Sequence, residues 1–437
     1  MSLLLRSIRK WAQRTSPLLK NAFTLGANAA IGQSITLLSL PVLSHLYTPD
    51  SFGKAGLILT YMGIVYPFLT LRLDMALVGS RDEEARYLLF LSIPIVAVMA
   101  LVLTGCFLLL CIVGVGHYGE LPIWASLLVW AGLSLSGTMN LLWGWGLRQG
   151  HFKQLASVYL VQGGLRSSVQ ILTGLIHAHW VGLVLGEIAG TLGRVRVLWR
   201  MAAPVFREVG ARFSWRDALS ILRHHRQYPL VATPSGMLDT LHGNLTLPLL
   251  AYAYGSGVAG HYFLAERLLA LPALMISTAF AYSFHHRIAQ VFREERSLTE
   301  SVVRSSLKQM GLFSILVFGV ISAFLGLGWR WIFADEWGLA HQIAWLLLPA
   351  VWIQFVVSPL SRVFTLPGYL KPKLVFDMLG VARLLTVFGV ATYWQLSPVG
   401  WQAVSTGLAL LLYAVYLVLI YWTARRISRH APSGYTH

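Results

Sequence analysis

The sequence is 437 residues long, 56% hydrophobic and only 12% charged, where an ordinary soluble domain carries about 25% charged residues. A soluble globule is excluded. The formal net charge of +17 does not indicate nucleic acid either, because the bases lie between apolar runs rather than on one surface patch.

Residues 1–20 interleave Arg6, Arg9, Lys10, Arg14 and Lys20 with Leu4, Ile8, Trp11 and Leu18, the pattern of an amphipathic segment on the cytoplasmic membrane surface. The mixing of bases with apolar residues, without a small-residue cleavage site, argues against a secretory leader. Apolar runs then recur at the roughly 20-residue length that crosses about 30 Å of hydrocarbon. We place helices at about 21–46, 52–78, 86–113, 121–146, 155–176 and 180–200, then at about 228–253, 258–284, 306–327, 340–365, 373–395 and 399–424. The expected fold is an all-α polytopic membrane protein of about twelve transmembrane helices. It divides into the segment 1–20, a six-helix half over 21–200, a basic linker over 201–227, a second half over 228–424 and a tail over 425–437.

Lys and Arg set the expected orientation. Odd-numbered connections hold little beyond Lys54 and Arg330, whereas even-numbered ones are crowded. Arg81 and Arg86 follow helix 2, Arg148 and Lys153 follow helix 4, and Arg194, Arg196, Arg200, Arg207, Arg212, Arg216, Arg223 and Arg226 follow helix 6. Arg287, Arg293, Arg296, Arg304 and Lys308, then Lys371 and Lys373, then Arg425, Arg426 and Arg429 continue the series. Both termini and the linker are therefore expected in the cytoplasm of a cell whose inner membrane holds the protein.

A shift of 207 places Leu38, Leu40, Pro41, Leu43, Tyr47, Gly53 and Leu57 on Leu245, Leu247, Pro248, Leu250, Tyr254, Gly260 and Leu264. Near a shift of 218, Gly150 and Lys153 meet Gly368 and Lys371. Because helices 1 and 7 both start on the inner side, the halves read as parallel repeats around a central cavity, the arrangement in which transporters bind substrate between halves.

Several blocks resemble the Wzx-type oligosaccharide flippases of the multidrug/oligosaccharidyl-lipid/polysaccharide exporter superfamily, over nearly the whole chain. They are Leu46-Tyr47-Thr48-Pro49 with Phe52-Gly53, Leu71-Arg72-Leu73-Asp74-Met75-Ala76, Gly182-Leu183-Val184-Leu185-Gly186, Ala259-Gly260-His261-Tyr262-Phe263-Leu264-Ala265 before Arg267, and Ser358-Pro359-Leu360-Ser361. Leu73-Asp74 departs from the Tyr-Glu that the family commonly has. The resemblance implies export of an undecaprenyl-diphosphate-linked oligosaccharide, such as an O-antigen unit, from the cytoplasmic to the periplasmic leaflet. It also implies work beside polysaccharide polymerase and chain-length machinery.

Charges at mid-depth cost about 2.5 to 3.5 kcal/mol on insertion scales and so face a protein interior or wet cavity. Arg166, Arg267 and Arg383 fall near the middle of helices 5, 8 and 11. Guanidinium forks match diphosphate oxygens, so these three are candidate substrate ligands. The competing reading pairs them with Glu187, Asp239, Glu266 or Asp377 to hold helices together. Arg72 is a further candidate, although at the cytoplasmic edge snorkelling to headgroups explains it as well. Asp239 stands as the most isolated mid-depth carboxylate and the first candidate for ion coupling, with Glu266 and Asp74 behind it. Prolines 41, 67, 94, 234, 248, 272, 349 and 359 fall inside expected spans and read either as bends of a gate or as ordinary membrane-helix prolines. Trp11, Trp124, Trp180, Trp329, Trp331 and Trp401 lie near span ends, as an interfacial belt requires.

Cys106 and Cys111 lie five apart in one apolar run, a spacing of neither a metal site nor a disulfide framework, and the histidines show no metal spacing. No cofactor and no enzymatic activity are expected. A membrane glycan polymerase or ligase remains a rival, although such enzymes need a larger outer loop than the one near 328–339. A drug or metabolite exporter is the second rival. No G-x-x-x-x-G-K-[ST] loop occurs, which argues against built-in ATP coupling.

Overall fold

The computed structural model describes residues 17–210, 214–366, 369 and 371–429. Most of the amphipathic segment expected at 1–20, Arg212 of the linker, Gly368 of the second repeat match and the tail beyond residue 429 lie outside the described residues. Every regular element described is helical.

After α1 (Pro17–Leu46), α2 (Pro49–Leu69) starts where the sequence supplies a cap: the Thr48 hydroxyl accepts from the Ser51 N–H at 3.3 Å, and Pro49 occupies the first turn. The continuous helix expected over 52–78 is broken. Leu71 and Arg72 have φ of 48° and 57°, which no continuing right-handed helix accommodates, so the chain turns before the short α3 (Leu73–Gly79). The Thr70 hydroxyl donates to Asp74 at 2.5 Å and fastens that turn. The half is completed by α4 (Asp82–Val113), α5 (Ala125–Arg148), α6 (Phe152–Ile176) and α7 (Trp180–Gly210). α7 runs ten residues past the end expected at 200, and α8 (Trp215–His224) follows.

The seventh passage is segmented. A π turn at Tyr228–Ala232 leads into α9 (Thr233–Asn244) and then α10 (Thr246–Tyr254), with Pro234 and Pro248 in the first turns, where no N–H donor is lost. The long α11 (Ser256–Glu294) and α12 (Thr299–Ala323) come next, and α12 ends in a π turn before α13 (Trp329–Ile332). α14 (Gly338–Val357) changes to 3₁₀ at Ser358–Thr365, where Pro359 removes a helix donor, and α15 (Lys371–Tyr393) and α16 (Pro398–Arg429) close the chain.

These elements make twelve helical passages in two sets of six. Among the described residues eight passages are long and apolar enough to cross a membrane, the first four and the last four. The fifth to eighth, which carry Arg166, Glu187, Arg194, Asp239, Glu266 and Arg267, are not among them. Outward-facing Leu101 and Leu109 on α4, Leu316 on α12 and Val418 on α16 are exposed, the apolar surface that lipid tails cover. The chain is a multi-pass membrane protein. The belt of tryptophans needs correction. Trp180, Trp329 and Trp401 are buried, Trp401 completely, because they pack on neighbouring aromatic rings instead of reaching the interface; Trp124 and Trp331 are exposed.

The halves meet where α2 crosses α11, and α1 and α9 reinforce that seam. The two glycines of the 207-residue repeat meet each other there. A Cβ on Gly53 would overlap the Ser256 carbonyl oxygen, and a Cβ on Gly260 would overlap that of Pro49, itself the repeat partner of Ser256. The repeat tyrosines also correspond. Tyr47 donates to the Gln170 carbonyl at 2.7 Å and Tyr254 to that of Leu396 at 2.7 Å, each reaching the fifth passage of its own half or the loop beyond it.

Candidate functional site

Two cavities flank the seam. One lies within the first half, with a volume of about 460 Å³, and takes its lining from α2, α5, α6 and α7. The other, about 470 Å³, lies within the second half between α9, α11, α14, α15 and α16. α11 separates them, and consecutive residues on it face opposite ways: Glu266 lines the second cavity while Arg267 reaches Glu187 of the first half.

Arg166 and Arg267 share one carboxylate. Arg267 Nη2 donates to Glu187 Oε1 at 2.9 Å, and the same oxygen contacts the Arg166 guanidinium from the antiparallel neighbour α6. The Arg267 guanidinium carbon also lies over the Phe263 ring, 4.2 Å from its centroid, a cation–π contact at the seam. Among the described residues Glu187 is the one acid within ion-pair distance of both bases, and the buried Arg166 Nε has no hydrogen-bond partner. Seven residues beyond Glu187 on α7, and so on the same face, Arg194 lines the first cavity. The charge pattern groups Arg194 with the cytoplasmic bases after helix 6, but it lies within α7, on the face that lines the first cavity.

Arg383 does not join that cluster. It lines the second cavity, where Nη1 donates to the Ser405 carbonyl at 2.8 Å and to its hydroxyl at 3.1 Å. Asp239 is not isolated, contrary to expectation: Lys373 Nζ lies 3.0 Å from it and 2.7 Å from Asp377. The expectation missed this because Lys373, assigned to a cytoplasmic connection, stands in the first turn of α15 and its long stem reaches α9. His242 completes the group, 3.9 Å from Asp377. Asp239 keeps 58% of its side chain exposed to the cavity, while Asp377 keeps 6%.

Arg72 and Asp74 are not among the described residues lining either cavity. The Arg72 guanidinium lies against Gly236 of α9, bridging the halves at the end of the bundle that carries the arginine-rich connections. At that end Glu84, His224 and His225 also come together, three metal-capable donors from α4 and the end of α8 that their positions in the chain do not announce. His225 is already held by Glu84 at 2.9 Å. At the opposite end Lys54 pairs with Asp50 at 2.8 Å and lies 3.7 Å from Glu120, and the Ser256 hydroxyl donates to Asp50, so polar contacts close the bundle beside the glycine crossing.

A family model described as polysaccharide biosynthesis protein matches residues 42–338. No curated protein matches significantly. Among solved structures, lipid II flippase MurJ in an inward closed conformation aligns over 92% of this chain and 90% of its own, with a TM-score of 0.68 and 11% identity. An outward-facing multidrug resistance MATE family transporter of the MOP superfamily aligns over 94% and 96%, with a TM-score of 0.60 and 17% identity. A MOP superfamily transporter from Pyrococcus furiosus, described as having a binding pocket of reverse polarity, aligns over 94% and 96%, with a TM-score of 0.57 and 17% identity. At these identities the likeness concerns the fold.

Proposed function

The chain belongs to the polysaccharide biosynthesis protein family, and from that premise we propose that it flips an undecaprenyl-diphosphate-linked oligosaccharide across the inner membrane by alternating access. The observation that carries this reading is the convergence of Arg166 and Arg267, from opposite halves, on the single acid Glu187. A diphosphate arriving at the seam finds two guanidinium groups whose shared counter-ion neutralises only one of them, and it gains charge-assisted hydrogen bonds from both halves at once. Such a ligand holds the halves together at its own depth, so its release is tied to their relative movement.

In this reading the protein has no enzymatic activity of its own and works beside polymerase and chain-length machinery in making a surface polysaccharide such as O-antigen. The acidic second cavity, with Asp239 the first coupling residue and Glu266 the second, supplies the ion-gradient drive. Asp74, held by Thr70 outside the lining of that cavity, is the weaker candidate. Both termini and the linker face the cytoplasm. In a variant lacking Cys106 and Cys111, a membrane-impermeant thiol reagent added outside is expected to label Asp335→Cys and spare Arg212→Cys; the reverse overturns this orientation.

Reconstituted vesicles test the function itself. The purified protein is expected to move a fluorescent polyprenyl-diphosphate-sugar between leaflets and to leave a cationic dye untransported. Dye movement without lipid movement would assign the chain to drug export, the reading that the acidic second cavity favours.

A further inference from the structure

The first-half cavity has a composition that the diphosphate does not need. Trp143 and Tyr159 meet edge to face, with ring centroids 5.6 Å apart, and Asn140 and Gln162 bring amide groups to the same wall. Flat apolar rings beside amides are the surface a pyranose uses, since one sugar face is C–H rich and its rim is hydroxyl. Into this wall projects Arg194. Its Nη1 donates to Gln162 Oε1 at 3.1 Å, and its guanidinium lies 5.9 Å from the Tyr159 centroid. The Nε is buried without a hydrogen-bond partner, and no ion pair among the described residues includes Arg194.

A guanidinium held from one side by a neutral amide, with its Nε edge unfilled, presents the fork that an oxyanion fits. Arg194 lies two helical turns from Glu187, about 10 Å along α7, whereas Arg166 and Arg267 converge on Glu187 itself. That separation exceeds one sugar ring and leaves room for the ring together with a guanidinium contact at each end.

We propose that the first-half cavity is the glycan subsite and that Arg194 binds the carboxylate of an acidic sugar in the lipid-linked oligosaccharide. This rests on the flippase reading and adds to it the class of sugar. With the diphosphate at Arg166 and Arg267, the adjoining sugar lies over Trp143 and Tyr159 with its carboxylate on the Arg194 fork. A neutral sugar leaves that charge without a counter-ion, so the site selects by charge as well as by shape.

Native mass spectrometry of the full-length protein tests this with three lipids: a short polyprenyl diphosphate, the same lipid bearing one glucosyl unit, and the same lipid bearing one glucuronyl unit. The wild type is expected to bind the glucuronyl lipid about ten-fold or more tightly than the glucosyl lipid. Arg194→Gln is expected to erase that preference while leaving the bare diphosphate lipid unaffected. Arg194→Lys, which keeps the charge and loses the fork, is expected to retain part of it. Trp143→Leu is expected to weaken both glycosylated lipids a few-fold, and not the bare one. Equal wild-type affinity for the two glycosylated lipids overturns the assignment. So does weakening of the bare lipid by Arg194→Gln, which would place phosphate at Arg194 instead. Failure of the wild type to bind even the bare lipid overturns the flippase reading itself, and the subsite with it.

Discussion

The two cavities are nearly equal in volume and stand in related halves, yet acids outnumber lysine and arginine only in the lining of the second, while the first pairs Glu187 with Arg194 and has the Arg166 and Arg267 cluster beside it at the seam. The first half and the seam set Arg166, Arg194 and Arg267 against Glu187 alone. The second sets Asp239, Asp377 and Glu266 against Lys373 and Arg383. Where the halves meet they remain alike, since Gly53 and Gly260 make reciprocal contacts, and within each half Tyr47 and Tyr254 make matching hydrogen bonds. The repeat is thus retained where backbones must approach closely and lost in the side chains that line the cavities. Under the proposed function an anion on one side and a coupling cation on the other would make use of that asymmetry, with α11 as the partition that turns Glu266 toward the second cavity and Arg267 toward Glu187.

The sharpest way to break this comparison is to remove the acid that tempers the positive side. Glu187→Gln leaves Arg166 and Arg267 buried against each other, and loss of one member of a buried charge group costs about 3 to 5 kcal/mol. The melting temperature should fall, and a diphosphate lipid should restore more of it in this variant than in the wild type. Equal ligand stabilisation in both would show that the arginines do not receive the anion.

Arg267→Ala removes a charge-assisted hydrogen bond worth about 1.5 to 3 kcal/mol, so binding of the diphosphate lipid should weaken roughly 10- to 150-fold on matched amounts of folded protein. Lys should rescue in part and Glu should do worse than Ala. If folded yield and binding fall together across all three, Arg267 holds helices rather than substrate.

Gly53→Ala and Gly260→Ala probe the region where the halves agree. Each new methyl meets a carbonyl oxygen of the opposite helix, and overpacking of this kind costs about 1 to 3 kcal/mol. The two losses should be equal within experimental scatter, as read by thermal unfolding in detergent. A large difference would show that the symmetry is confined to the backbone path.

The smallest effect on anion binding is expected in the second cavity. Asp239→Asn leaves Lys373 paired with Asp377 and should not change diphosphate affinity, while it should reduce the dependence of transport on an imposed proton or sodium gradient. Transport unchanged in both rate and gradient dependence would remove Asp239 from coupling and leave its bond to Lys373 as a structural tie.

Much of the architecture could be read from the chain alone. Apolar run length gives the passages, because hydrocarbon thickness sets how many residues a helix needs to cross. Thr48 and Pro49 announce the start of α2, and the coincidence of Pro41, Tyr47 and Gly53 with Pro248, Tyr254 and Gly260 announces the repeat, because caps and close approaches demand particular residue types. Counting along helices is what singles out Arg166, Arg267 and Arg383 as expected mid-depth charges. What counting does not give is which face each helix turns to which neighbour. Glu187 as the shared acid, Lys373 as the partner of Asp239, and Arg194 as a cavity residue were decided when packing rotated α7, α9, α11 and α15 against one another. The spacing of Glu187 and Arg194 put them on one face, but an apolar bundle leaves that rotation open until neighbouring side chains interlock. Long Lys and Arg stems then reach partners far away in sequence. The break at Leu71 and Arg72 also has no signature in hydropathy, since the positive φ at two non-glycine residues is fastened by the Thr70–Asp74 hydrogen bond and by the Arg72 side chain lying against Gly236 of α9.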